Sequence, residues 1–286
     1  RHYMLPAMRR LPTARTIIDE QGYFVVHAPR QVGKTTALQT LAEELTREGR
    51  YISALLSVEV GAPFPHDLKQ ATGEILSEWQ DATQFQLPAE LRPPPWPKRA
   101  GIGAALKAWA NAAPRPLVLF IDEIDALQGE TLISVLRQLR SGFPRRPRAF
   151  PWSLALIGMR DVRDYKIASG GNERLQSASP FNIKIDSLTL RNFTREEVAE
   201  LYHQHTDDTG QVFLPEATER VFYYTQGQPW LVNALAATAV DLACDRAARA
   251  ARSRARPEAG AVGPAAGDGS GASWRAPGVD LLRRRP

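Results

Sequence analysis

Five short apolar runs punctuate the chain as far as Leu190: Tyr23–Ala28 (YFVVHA), Tyr51–Val60 (YISALLSVEV), Pro116–Ile121 (PLVLFI), Trp152–Gly158 (WSLALIG) and the FNIKI stretch that opens Phe181–Leu190. Their length and their β-branched and aromatic content predict buried strands. Between them the spacing turns helical. Thr36, Ala37, Leu38, Leu41, Ala42 and Leu45 fall at helical spacing; Leu68, Ala71, Ile75, Leu76 and Trp79 share one face within Asp67–Gln80, as do Leu132, Val135, Leu136 and Leu139 within Glu130–Arg140. Gly101–Ala112 reads as an Ala-rich helix, and residues 7–20 as a helix leading into the first strand. After Leu190 only helices are expected. Thr194 and Glu197 have capping-box spacing and open a helix to about His205; Pro215–Tyr224 and Pro229–Cys244 follow. Strands alternating with helices, then helices alone, predict an α/β parallel sheet over 1–190 and a helical lid over 191–245.

The connectors differ in character. Leu87–Pro97, containing PPPWP, reads as an extended surface linker. Arg145–Arg148 reads as a solvated basic loop, and Asp164–Pro180 as a mobile polar one. Beyond residue 245 the composition falls to Ala, Arg, Gly and Pro, which predicts a disordered tail over 246–286.

The junction of the first strand with its helix carries candidate chemistry. Ala28-Pro29-Arg30-Gln31-Val32-Gly33-Lys34-Thr35 joins a buried run to a helix opening on Gly-Lys-Thr, the context of a phosphate-binding loop. Backbone N–H groups and the helix N-terminus would face a phosphate there. Lys34 would reach the β- and γ-phosphates, and the Thr35 hydroxyl would ligate Mg²⁺. Ala28 stands where the usual pattern has glycine, so the loop must enter with ordinary backbone angles. In LVLFIDEIDAL, 117–127, Asp122 is placed to hold Mg²⁺ and Glu123 to orient and deprotonate an attacking water.

Composition narrows the classes. Cys244 is the only cysteine, which excludes a disulfide framework and a thiolate zinc site and suits the reducing cytoplasm. There is no apolar run of about 18 residues to span a membrane. The start, RHYMLPAMRR, lacks a signal-peptide core and an initiator Met, as a fragment would. The net charge of +5 belongs to the end of the chain: residues 246–286 hold nine Arg and three acids, or +6, which leaves −1 for residues 1–245. The body therefore carries no electrostatic footprint for nucleic acid.

Taken together, HAPRQVGKTT (27–36), FIDEIDAL (120–127), LIGMRDVRDY (156–165) and TQGQPWLVNALA (225–236) resemble the P-loop ATPases with an additional strand and a catalytic glutamate. Within these the chain is similar to the AAA-like ATPases, near the STAND and origin-recognition groups, over about residues 5–245. The resemblance implies a sheet of order 5-1-4-3-2, ATP and Mg²⁺ as ligands, and nucleotide contacts from residues 28–36. It further implies γ-phosphate sensing by Arg160, a lid contact at Gly227-Gln228-Pro229, and ATP-dependent self-association. Other readings stay open. Arg160 could pair with Asp161 or Asp164, Gly227–Pro229 could be a plain helix break, and Arg30 could be solvated or face a phosphate or a second subunit. His27 reads as a packed core residue and Asp125 as a solvated or helix-starting acid. Three functions follow: an ATP-hydrolysing switch, a nucleotide-binding regulator with negligible turnover, or a DNA-associated helper ATPase.

Overall fold

The computed structural model describes residues 3–98, 101–159, 185–254 and 282–284. Arg160 and the stretch Asp164–Pro180 lie outside these residues. The chain divides into two compact units, residues 6–191 and residues 1–5 with 192 onward.

The first unit is a parallel sheet of five strands: β1 (Tyr23–His27), β2 (Ile52–Ser57), β3 (Leu117–Asp122), β4 (Ser153–Gly158) and β5 (Ile185–Thr189). Their spatial order is β2-β3-β4-β1-β5, the 5-1-4-3-2 arrangement that the resemblance implies. Helices α1 (Ala14–Asp19), α2 (Lys34–Arg47), α3 (Leu68–Gln86), α4 (Ile102–Ala112) and α5 (Gly129–Gly142) belong to this unit. Side chains alternate across the sheet. Tyr23, Val25, Leu119 and Ile121 enter the core shared with α3, α4 and α5, whereas Phe24, Val26, Val118 and Phe120 enter the one shared with α1 and α2. Burial on both faces explains why β1, β2, β3 and β4 are largely continuous apolar runs.

Of the FNIKI strand expected over 181–185, all but Ile185 lies outside the described residues. The described strand is Ile185–Thr189, where Asp186, Ser187 and Thr189 give no apolar signal; pairing with β1, Tyr23 opposite Ile185 through His27 opposite Thr189, defines it. Several other expectations need correction. The helix expected over 7–20 splits into a 3-10 turn, Ala7–Arg10, and α1, because Pro12 has no N–H to continue the ladder. Leu87–Pro97 is no surface linker: Leu87 and Leu91 are buried, and Trp96 donates to the Leu76 carbonyl and meets Trp109 edge-on. Arg146 is not simply solvated, since its guanidinium lies over the Phe143 and Tyr23 rings.

The second unit contains α6 (Arg195–Thr209), β6 (Gln211–Phe213), α7 (Pro215–Thr225), α8 (Pro229–Arg254) and β7 (Leu282–Arg284), with β6 and β7 antiparallel. Thr194 and Glu197 form the expected capping box. Val198, Leu201, Tyr202, Phe213, Val221 and Val232 make a separate small core. Helix α8 runs ten residues past Cys244, since Ala and Arg are strong helix formers despite their poor core value. No described helix is long and apolar enough to cross a membrane.

Two fully buried tryptophans differ in one respect. Trp79 Nε1 donates to the Ser57 carbonyl at 2.8 Å, whereas Trp109 Nε1 has no partner among the described residues. Replacing Trp79 by Phe orphans a carbonyl, while Trp109→Phe removes an orphaned donor. Trp79→Phe should therefore cost about 1 kcal/mol more than Trp109→Phe in urea unfolding; equal costs would contradict this account.

Candidate functional site

At the end of β1 the chain turns through a tight loop into α2. Ala28 N–H still donates to the Gly158 carbonyl at 3.3 Å, so the loop enters in strand conformation. Ala28 keeps the ordinary backbone angles expected of it; the left-handed residues are Gln31 (φ +62°) and Gly33 (φ +81°). The first of these positions falls on a residue with a side chain, which sequence alone did not suggest.

Lys34 opens α2 and its amine donates to the carbonyls of Ala28 at 2.7 Å and Pro29 at 2.8 Å. Burial draws its pKa below the usual lysine value, partly offset by Asp122 and Asp125. Thr35 Oγ1 donates to Asp122 Oδ2 at 2.8 Å, across 87 residues of sequence. The alternation in β3 accounts for this: Asp122 follows Val118 and Phe120 on the face that packs α2. Asp122 is 5% exposed and also accepts from the Glu123 N–H at 2.9 Å. Burial nevertheless raises its pKa above the ordinary carboxylate value.

Glu123 takes a left-handed backbone, φ +60°. Its Oε2 accepts from the Ser57 hydroxyl at 2.9 Å, and Ser57 Oγ accepts from the Glu59 N–H at 3.1 Å. Burial raises the Glu123 pKa; the Ser57 bond opposes the rise and Glu59 reinforces it. Asp125, expected as a solvated or helix-starting acid, accepts from the Met159 N–H at 3.3 Å.

These groups line a cleft of about 540 Å³. Arg30, Gln31, Gly33, Lys34, Thr35 and Thr36 line it from the loop and the start of α2, and Glu59, Asp122, Glu123 and Asp125 from the ends of β2 and β3 and the turns after them. Ala28 and Val32 lie beneath it, buried; Pro29 contributes its carbonyl to Lys34. His27 is half-buried rather than core, its Nε2 lying 3.2 Å from Thr189 Oγ1. Pro229 belongs to the other unit, where it opens α8. The neighbouring Gly227 is required there by packing: φ is +70°, and a Cβ would meet the Phe193 carbonyl oxygen at 2.0 Å. Arg10, Ser57 and Glu59 escaped the sequence reading, because nothing local marks a residue that touches the loop from another element.

The donor set suits a hard cation. A hydroxyl and a carboxylate already meet, both oxygen donors, and among the described residues no group of three or more His, Cys, Asp or Glu could hold a metal ion by itself. A metal would take its remaining ligands from phosphate or water. Arg30 and Lys34 beside Asp122 and Glu123 in one cleft fit a polyanion together with a metal.

The family described as "AAA domain" matches residues 16–165, more than half of the chain. The Walker-type ATPase PABY2304 of Pyrococcus abyssi superposes with a TM-score of 0.55 at 14% identity, covering 79% of this chain and 64% of that one. The Aeropyrum pernix ORC2 protein, solved as ADPNP–ADP complexes, gives 0.48 at 18% identity, covering 86% and 61%. The Thermotoga maritima RuvB Holliday junction branch migration motor gives 0.45 at 16%, covering 82% and 60%. The chain therefore spans less than two thirds of the length of these solved proteins. No curated protein matches.

Asp122 makes a stability prediction. Its raised pKa means that the folded state holds the proton more tightly than the unfolded chain does. The protein then loses stability as pH rises through that pKa. Asp122→Asn can keep both contacts, its amide oxygen accepting from Glu123 N–H and its NH₂ facing Thr35. Without nucleotide the variant should melt higher than the parent at pH 7, and the gap should close toward pH 4. A lower melting temperature at pH 7 would contradict the assignment.

Proposed function

The chain belongs to the AAA domain family, and on that premise we propose that it binds ATP with Mg²⁺ and hydrolyses it to ADP and phosphate as a conformational switch. The observation that carries this reading is the meeting of Lys34, Thr35 and Asp122 in one cleft with Glu123 beside them. Lys34 would exchange the Ala28 and Pro29 carbonyls for phosphate oxygens, which offer full negative charge to its ammonium. Thr35 and Asp122 would hold Mg²⁺, which when bound neutralises charge on the phosphate oxygens. Gln31, Gly33, Thr35 and Thr36 would bind the phosphate chain, and Arg30 would face its outer oxygens. Glu123 would orient the attacking water and accept its proton; burial keeps its carboxylate more basic than usual, which suits a general base. Arg160 as γ-phosphate sensor and Pro229 as a nucleotide contact are the family's implications for this chain. ATP-dependent self-association belongs to the same reading.

A second reading, a nucleotide-holding regulator with negligible turnover, is favoured by one observation. Ser57 donates to the Glu123 carboxylate at 2.9 Å, which fixes the side chain and draws negative charge from the oxygen that would serve as base. Release of γ-phosphate in a single turnover decides between the two. The DNA-associated helper remains an alternative only if the chain binds DNA with salt-dependent affinity after residues 246–286 are removed.

Titration with ATP, ADP and GTP, followed by sizing with and without ATP, tests the binding reading. Lys34→Ala should abolish ATP binding; normal binding by that variant rejects the site. Glu123→Gln should bind ATP normally but hydrolyse it about 100-fold or more slowly; unchanged turnover removes Glu123 as the base.

A further inference from the structure

The nucleotide loop depends on a residue outside it. Arg10, at the end of the 3-10 turn, is 7% exposed. Its Nη2 donates to the Val32 carbonyl at 2.7 Å and its Nε to the Arg191 carbonyl at 2.8 Å. Its Nη1 stands 3.9 Å from where a Cβ on Gly33 would be. Arg191 Nη2 donates back to the Arg9 carbonyl at 3.3 Å. Residues 9–10, 32–33 and 191 are thus tied together inside the sheet unit.

That place is also where the chain leaves the unit. The boundaries between the two units fall between Leu5 and Pro6 and between Arg191 and Asn192. One connection ends within five residues of Arg10, and the other ends on the residue whose carbonyl Arg10 binds.

The loop's geometry explains what Arg10 does. Left-handed residues at 31 and 33 flank Val32. Such alternation turns successive N–H groups to one side and carbonyls to the other. Gln31 and Gly33 line the cleft, whereas Val32 is buried with its carbonyl aimed at Arg10. A buried carbonyl needs a donor, and Arg10 supplies a charged one. Without it, the peptide between Val32 and Gly33 can rotate, since glycine tolerates either hand. The carbonyl oxygen would then face the cleft, where it repels phosphate.

We propose that Arg10 is a positioning residue for the nucleotide loop, and that it links the loop's geometry to the Arg191 connection with the helical unit. Its effect on affinity rests on the ATP reading; its effect on the loop does not.

The test compares the parent chain of 286 residues with Arg10→Ala and Arg10→Lys. Amide hydrogen exchange without nucleotide is measured first. Arg10→Ala should speed exchange at residues 31–35 and 190–193 while leaving α3 and α4 as in the parent, and Arg10→Lys, which keeps the charge without the fork, should restore part of the protection. Exchange at those amides equal to the parent's in both variants overturns the proposal. A uniform increase across the sheet unit also overturns it, since that is the signature of a merely structural arginine. ATP·Mg²⁺ titration follows: Arg10→Ala should bind about tenfold more weakly, the size of one lost charge-assisted hydrogen bond, with Arg10→Lys in between. Failure of the parent itself to bind ATP rejects the nucleotide reading, whereas the exchange result still decides the role of Arg10. Should Arg10→Ala not fold, Arg10→Lys against the parent carries both measurements.

Discussion

The hydrogen bond from Thr35 to Asp122 is the contact on which the site depends. It joins the first residues of α2 to the last residue of β3, and those elements meet only because the sheet places β4 between β1 and β3. The last residue of β4 is Gly158, which lines the cleft without a side chain. The carboxylate on β3 can therefore face the helix that follows β1. A different strand order would leave a loop with a lysine at one place and an acidic pair at another. The parallel arrangement gathers both at the carboxyl ends of the strands, where ligands of open α/β sheets bind.

The same geometry has an electrostatic cost. Asp122 and Glu123 are both pushed toward their protonated forms, and Lys34 toward its neutral form, mainly by burial. The groups are held ready rather than comfortably solvated. Lys34 rests on two carbonyls, Asp122 on a hydroxyl and an N–H, and Glu123 on Ser57. Left-handed backbone at Gln31, Gly33 and Glu123 adds conformational cost at two residues with side chains. Strain and desolvation concentrate where the chemistry is expected, and the two apolar cores on either side of the sheet supply the stability that offsets them.

The helical unit follows other rules. Its core is smaller, and its features are local: a capping box, a left-handed C-cap at Gly210, and Gly227 where a Cβ would strike the Phe193 carbonyl. That close approach gives Gly227 a structural reason to be glycine whether or not its neighbour Pro229 touches a nucleotide.

Much was written locally in the chain. Strands β1 to β4, the helices between them, the capping box and the Gly-Lys-Thr junction follow from periodicity and from residue types within a few positions of one another. Asp122 and Glu123 were legible because an apolar run ends on them. Other features required the third dimension. Strand β5 is polar and defined by its partner β1. Trp96 looked like linker until it met Trp109. Gln31 adopts a left-handed backbone that its own chemistry does not favour. Arg10 binds a carbonyl 22 positions away, Ser57 a carboxylate 66 positions away, and Glu59 acts through Ser57. Short-range patterns record which backbone shape a segment prefers. They do not record which distant carbonyl or carboxylate a side chain will meet, because that is decided only when the sheet order brings separate segments together.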